Sequence, residues 1–204
     1  MNSGFFTLPQ EKQQAVINAG FKIFALYPYN KAPMSEIAGA AGISKSLLFY
    51  HFKNKKELYI FLWQKSVELI RCALQEQGVL ETDDYFEMLR RSLRGKCRLM
   101  KSYPYASEFS MKAYFEGEGE FSEDIRHSFL KLEADSWNKV WQRIDKSKLR
   151  DDIDPLLMYR EMVWASDGFM HQMVNSRNME FDGIEKEFEK LIDMWEKVYQ
   201  KAGV

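Results

Sequence analysis

Hydrophobic positions recur at three- and four-residue spacing along almost the whole chain, which predicts a protein built of helices. Val16, Ile17, Gly20, Phe21, Phe24 and Tyr27 lie on one stripe. It is opened by Thr7-Leu8-Pro9-Gln10, which has the form of a capping box with proline in the first turn, and closed by Pro28. Pro33 restarts helix near Met34. Ile37, Ala38 and Ala41 then make the apolar edge of a short second helix. Gly42 supplies the positive φ of a tight turn, Ile43 plugs the corner, and Ser44 caps a third helix. Two helices crossing steeply need a small residue at their contact, and Ala38 is that residue, with Leu48 as the core contact of the third helix.

From Asn54 the pattern predicts a long helix 4 with Leu58, Phe61, Leu62, Leu69, Ala73 and Leu74 on its apolar face, ended by Gly78. Helix 5 is expected after a cap at Thr82, with Phe86, Leu89, Leu93, Cys97 and Met100 inward. Its remaining cations, Arg90, Arg91, Arg94, Lys96, Arg98 and Lys101, read most simply as a solvated face; the alternative is attraction for an acidic ligand. Pro104 breaks the chain, and a shorter helix 6 follows until Gly117 and Gly119 loosen the backbone; helix 7 is expected from about Ser122 to Ile144. Asp154-Pro155 has the form of an N-cap and first helical residue for helix 8, which is apolar on more than one face and so is expected to be buried nearly all round. Helix 9 sets Phe181, Ile184, Phe188, Leu191, Ile192, Trp195 and Tyr199 against a charged face. No stretch reads as a strand, a repeat or a low-complexity segment.

A net charge of −1 taken alone argues against a nucleic-acid binder, but its distribution does not. Residues 1–65 carry eight lysines against three glutamates, a surplus of five, which leaves the rest of the chain at −6. A basic end on an acidic body suits DNA, because phosphates respond to the local patch. Met1 to Thr7 has no export pattern and charges interrupt every apolar run, so a cytoplasmic protein with no membrane partner is expected. Cys72 and Cys97 are expected to be packed free thiols.

The run from Ile43 to Leu58, with an aromatic pair, His51, Phe52 and the Lys-rich turn Lys53-Asn54-Lys55-Lys56, resembles the signature of the TetR (tetracycline-repressor) family of bacterial transcription regulators. The likeness covers Glu11 to Leu58 without gaps; beyond that it is one of helical layout. It implies an all-α fold of about nine helices. A helix-turn-helix DNA-binding domain, residues 1–56, would be continuous with a helical effector-binding and dimerisation domain, residues 57–204. Carried over residue by residue, it implies base contacts from Ser35, Lys45, Ser46 and Phe49 and phosphate contacts from Tyr50, His51 and Lys55. Two positions depart from the family pattern. Phe49 stands where tyrosine is common and suits a thymine methyl, and Leu47 stands where threonine is frequent and forfeits a phosphate bond.

The family's pocket implies an apolar or aromatic small-molecule effector, and the candidates for its lining are Trp63, Phe86, Phe109, Tyr114, Phe129, Trp137, Trp141 and Trp164, with Asp167 and His171 as polar members. Residues of these types at helical spacing are more often plain core. No phosphate loop, H-E-x-x-H, C-x-x-C or G-x-S-x-G occurs, and the histidines stand far apart, so no catalytic residues, metal or cofactor are expected and the chain does not read as an enzyme. The expected protein is a TetR-like repressor, a homodimer through helices 8 and 9, released from a near-palindromic operator. The alternative is a TetR-like DNA-binding protein controlled by a protein partner, or organising DNA without an effector.

Overall fold

The structure, a computed structural model, describes residues 3–115, 122–176 and 181–202. Over these residues the chain forms nine α-helices: α1 (Gln10–Leu26), α2 (Met34–Ala40), α3 (Lys45–His51), α4 (Lys55–Glu76), α5 (Tyr85–Ser102), α6 (Pro104–Phe115), α7 (Ser122–Arg143), α8 (Pro155–Ser176) and α9 (Phe181–Tyr199). Gly117 and Gly119, expected to loosen the end of helix 6, lie outside the described residues. Instead of a strand there is an isolated antiparallel bridge, where the Arg150 amide donates to Tyr199 O and the Lys201 amide to Lys148 O, both at 2.9 Å.

Helix ends follow local chemistry where the cap is local. Gly42 has φ 65° and Gly78 φ 59°, so both occupy the left-handed conformation that ends α2 and α4. Asn54 Oδ1 accepts from the Glu57 amide at 2.8 Å while Glu57 Oε2 accepts from the Lys53 amide at 2.7 Å, a reciprocal cap that starts α4. Asp154 Oδ1 accepts from the amides of Leu156 and Leu157, at 2.9 and 3.2 Å, ahead of Pro155. Two expected caps move. Thr7 ends a 3₁₀ turn, Ser3–Thr7, and its hydroxyl donates back to Gly4 O rather than capping α1, whose N-cap residue is Pro9. Thr82 accepts only from the Asp84 amide, and Asp84 caps α5 by accepting from the Glu87 amide at 2.9 Å.

Packing divides the chain into two compact units. The first comprises Met1–Leu69 and Ser102–Leu130, the second Ile70–Lys101 and Lys131–Val204. The first has a core of Val16, Phe21, Phe24, Ile37, Ala38, Leu48, Phe52, Leu58, Leu62 and Phe109. The second is built on Tyr85, Phe86, Met88, Cys97, Met158, Met162, Ile184, Ile192 and Trp195. Within it Arg90 of α5 reaches Asp193 at 2.8 Å and Glu196 at 2.6 Å on α9. Glu161 of α8 accepts from Trp195 Nε1 and Tyr199 Oη at 3.4 and 3.3 Å.

One burial expectation is corrected: Cys72 is exposed and only Cys97 is packed. Helix α8, with more apolar faces than one chain covers, has Leu156, Leu157 and Trp164 more than half exposed in the single chain. Among the described residues, helices of the same chain bury the Met158–Met162 side of α8 and leave most of the Leu157–Trp164 side exposed.

Candidate nucleic-acid interface

Helix α3 is short, and its orientation is fixed at both ends. Ser44 Oγ accepts from the Leu47 amide at 3.1 Å, and the Ile43 amide, donating to Ala38 O at 3.0 Å, closes the turn from α2. Leu48 and Phe52 are fully buried, which leaves Lys45, Ser46, Phe49 and Tyr50 on the opposite, exposed side. Tyr50 is the most exposed of the rings at 62%, and Lys45 Nζ stands 6.0 Å from the centroid of Phe49. Ser35 is exposed in the first turn of α2. A cation, a hydroxyl, an apolar ring and a phenol on one helix face supply donors for guanine edges and phosphates and a surface for a thymine methyl.

The other two residues expected at the DNA are placed differently. Lys55 is half-buried, and its ammonium donates to the carbonyls of Tyr29 and Asn30 at 3.0 and 3.2 Å, with the Tyr29 ring beneath it at 5.3 Å. It fastens the connector between α1 and α2, and burial pulls its pKa below the ordinary lysine value. His51 is 3% exposed, so it does not present a surface donor as a phosphate contact requires. Among the described residues neither ring nitrogen has a hydrogen-bond partner, and burial holds its pKa below 6.5.

What covers His51 is the 3₁₀ turn at the start of the chain. Phe5 is fully buried, edge-on to His51 with centroids 5.7 Å apart, and also packs on Phe52 at 5.0 Å and Phe61 at 5.3 Å. This segment is nearly silent in the sequence. Its only signal is the pair Phe5-Phe6 ahead of the first helical stripe.

The expected effector-lining residues are divided between the two units. Trp63, Phe109, Tyr114 and Phe129 belong to the first unit, and the other six to the second. Trp63, Phe109 and Phe86 are core at 5%, 0% and 2% exposure, and Tyr114 packs on Phe129 at 4.2 Å. Trp137 stacks between Trp141 and Tyr159, at 5.2 and 4.3 Å. Trp164 is 58% exposed beneath the Arg160 guanidinium, Asp167 is half-buried and His171 exposed. Among the described residues no cluster of three or more His, Cys, Asp or Glu could hold a metal ion, and no helix is long and apolar enough to cross a membrane.

Residues 16–60, the stretch that holds this interface, match the family model of bacterial regulatory proteins, tetR family. The transcriptional activator FasR of Mycolicibacterium smegmatis is 32% identical over 42% of this chain, a match that spans 39% of FasR. The transcriptional repressor Rv1474c of Mycobacterium tuberculosis is 20% identical over 82% of this chain and 84% of its own length. SmeT, the repressor of the Stenotrophomonas maltophilia multidrug efflux pump SmeDEF, shares the fold with a TM-score of 0.70 at 19% identity, covering 95% of this chain and 94% of that one; its triclosan complex gives 0.71 at 17% identity over the same shares. Residues 16–60 are a DNA-binding region of the tetR family of bacterial regulatory proteins, and the chain is a TetR-like DNA-binding transcriptional regulator.

Proposed function

We propose that the protein is a cytoplasmic repressor, not an enzyme, that binds a near-palindromic operator as a homodimer through α8 and α9 and leaves it when a small apolar or aromatic effector binds the helical body. The observation that carries this reading is the exposed set Lys45, Ser46, Phe49 and Tyr50 on α3, in a chain whose fold matches that of SmeT in complex with triclosan. Ser35 extends the set from α2. Lys55 adds positive charge at the start of α4 while it holds the connector. In this reading residues 1–56 bind DNA and residues 57–204 bind the effector and the second copy.

Dimerisation is supported by the apolar surface that a single chain leaves open: Leu156, Leu157 and Trp164 on α8, with Met194 and Val198 on α9, each at least 45% exposed. A two-fold pair presents two α3 helices to two half-sites about one DNA turn apart. Signal transfer is supported by α4, which has no glycine or proline from Lys55 to Glu76 to absorb a displacement. The coupling required is about 1–3 kcal/mol, and by reciprocity operator DNA weakens effector binding by the same factor.

Selection of duplexes from a random library by the purified protein tests the reading, with triclosan as the first probe. An enriched inverted repeat, and a lower triclosan affinity for the operator-bound protein, are expected. Enrichment of no repeat, or equal affinity with and without operator for every compound that binds, would count against it.

A further inference from the structure

Val16 and Ala19 of α1 are buried in the core of the first unit, which also holds Ala38 and Ala41 from α2 and its turn and Leu48 from α3. Lys12 stands one helical turn ahead of Val16, on the same face of α1. Its side chain emerges where that face meets solvent and reaches the turn between α2 and α3. The ammonium lies 3.8 Å from the point a Cβ would occupy at Gly42. The turn requires glycine there for its φ of 65°, and the missing side chain leaves the outer side of the turn open to the lysine.

Several other lysines of the first unit are engaged within it. Lys55 donates to the Tyr29 and Asn30 carbonyls, Lys65 pairs with Glu68 at 2.7 Å, and Lys22 lies over the Tyr105 ring at 5.9 Å. Lys12 is exposed, and among the described residues no carboxylate pairs with it. His51 is sealed beneath Phe5 and Lys55 is shared with the connector, so the two donors expected at phosphates are withdrawn or divided. An exposed ammonium beside α3 is placed to take up that role.

Gly42 precedes Lys45 by three residues, which puts their Cα atoms at most about 11 Å apart. With Lys45 at base edges in a major groove about 12 Å wide, a cation beside Gly42 comes level with the sugar–phosphate strand that bounds the groove. We propose that Lys12 is a phosphate contact made from outside the helix-turn-helix, and that it positions α3 by tying α1 to one edge of the groove. This rests on α3 being the helix that enters the groove. A phosphate contact fixes register and carries no sequence information, so it acts on every duplex alike.

Salt titrations of the full-length protein test it, on the selected operator and on a scrambled duplex of equal length; the scrambled duplex carries the test by itself. Lys12→Gln should make the plot of log affinity against log salt shallower by about 0.9 on both, so that its deficit narrows by about 3.5-fold between about 50 and 200 mM. The ratio of operator to scrambled affinity and the melting temperature should not change. Lys12→Arg should keep the wild-type slope. Lys22→Gln removes the same charge from the same helix about 15 Å farther along, and it too should keep the slope. If Lys12→Gln leaves the slope unchanged, or if both glutamine variants lower it alike, the contact is wrong and the placement of α3 stands. If Lys12→Gln weakens the operator alone, the lysine reads a base and the phosphate assignment is wrong. If wild-type binding shows no salt dependence on either duplex, the placement of α3 is overturned, and Lys12 with it.

Discussion

Gly95 of α5 faces the carbonyl oxygen of Ala73 on α4 so closely that a Cβ at position 95 would lie 2.9 Å from it. The obstacle is backbone, which cannot rotate aside, and a helix-interior glycine that costs about 1 kcal/mol of propensity is kept for this contact. Gly95→Ala is expected to destabilise the protein. Overpacking of about 1–3 kcal/mol outweighs the propensity gained, which a lower urea midpoint at unchanged slope would register.

His51 gives the first unit a pH dependence with a defined sign. Its folded pKa lies below 6.5 because burial disfavours the imidazolium, so the unfolded chain takes up the proton first. The stability it contributes is present in full above pH 6.5 and is lost as pH falls below that value, through the lower folded-state pKa. Melting temperatures measured from pH 7.5 down to 5 should fall, and His51→Leu should flatten that part of the profile.

Lys55 and Lys45 are expected to fail in different ways. Lys55→Ala removes the two bonds to Tyr29 O and Asn30 O, so it should lower stability by about 1 kcal/mol. It should also weaken all DNA sequences alike, with a salt slope shallower by about one unit. Lys45→Ala leaves the fold alone and relaxes the choice of base. Salt titrations on the operator and on a scrambled duplex separate the two.

Trp164 and Leu157 are seven residues apart, on one face of α8, and 58% and 55% exposed. Trp164→Glu combined with Leu157→Glu should give a monomer by sedimentation at micromolar concentration, with helicity unchanged and operator affinity much reduced. A dimer that survived both changes would place the interface elsewhere.

What was legible in the sequence was local. Gly42 and Ser44 fix the turn between α2 and α3 through bonds spanning a few residues, and Asp154-Pro155 fixes the start of α8 in the same way. What was not legible came from tertiary partners. Thr7 matches a capping box, but the burial of Phe5 against α3 and α4 draws its neighbourhood into a 3₁₀ turn. His51 has the residue type for a phosphate contact, and the same Phe5 removes it from the surface. The lining of a pocket could not be told from core, because the same aromatic types at the same spacing serve both: Phe109 and Phe86 are sealed, and Trp164 is open.

Leu69 and Ile70, the first of the places where the chain crosses between the two compact units, are consecutive residues inside α4. A DNA-reading end cannot then be exchanged between relatives as a bead on a string. That crossing falls inside a helix, and a single residue inserted there would turn the rest of α4 by about 100° and advance it 1.5 Å. A seven-residue insertion returns within about 20° of the starting phase, so working hybrids should tolerate only such steps in length. Modularity in this chain is quantised by the helical repeat.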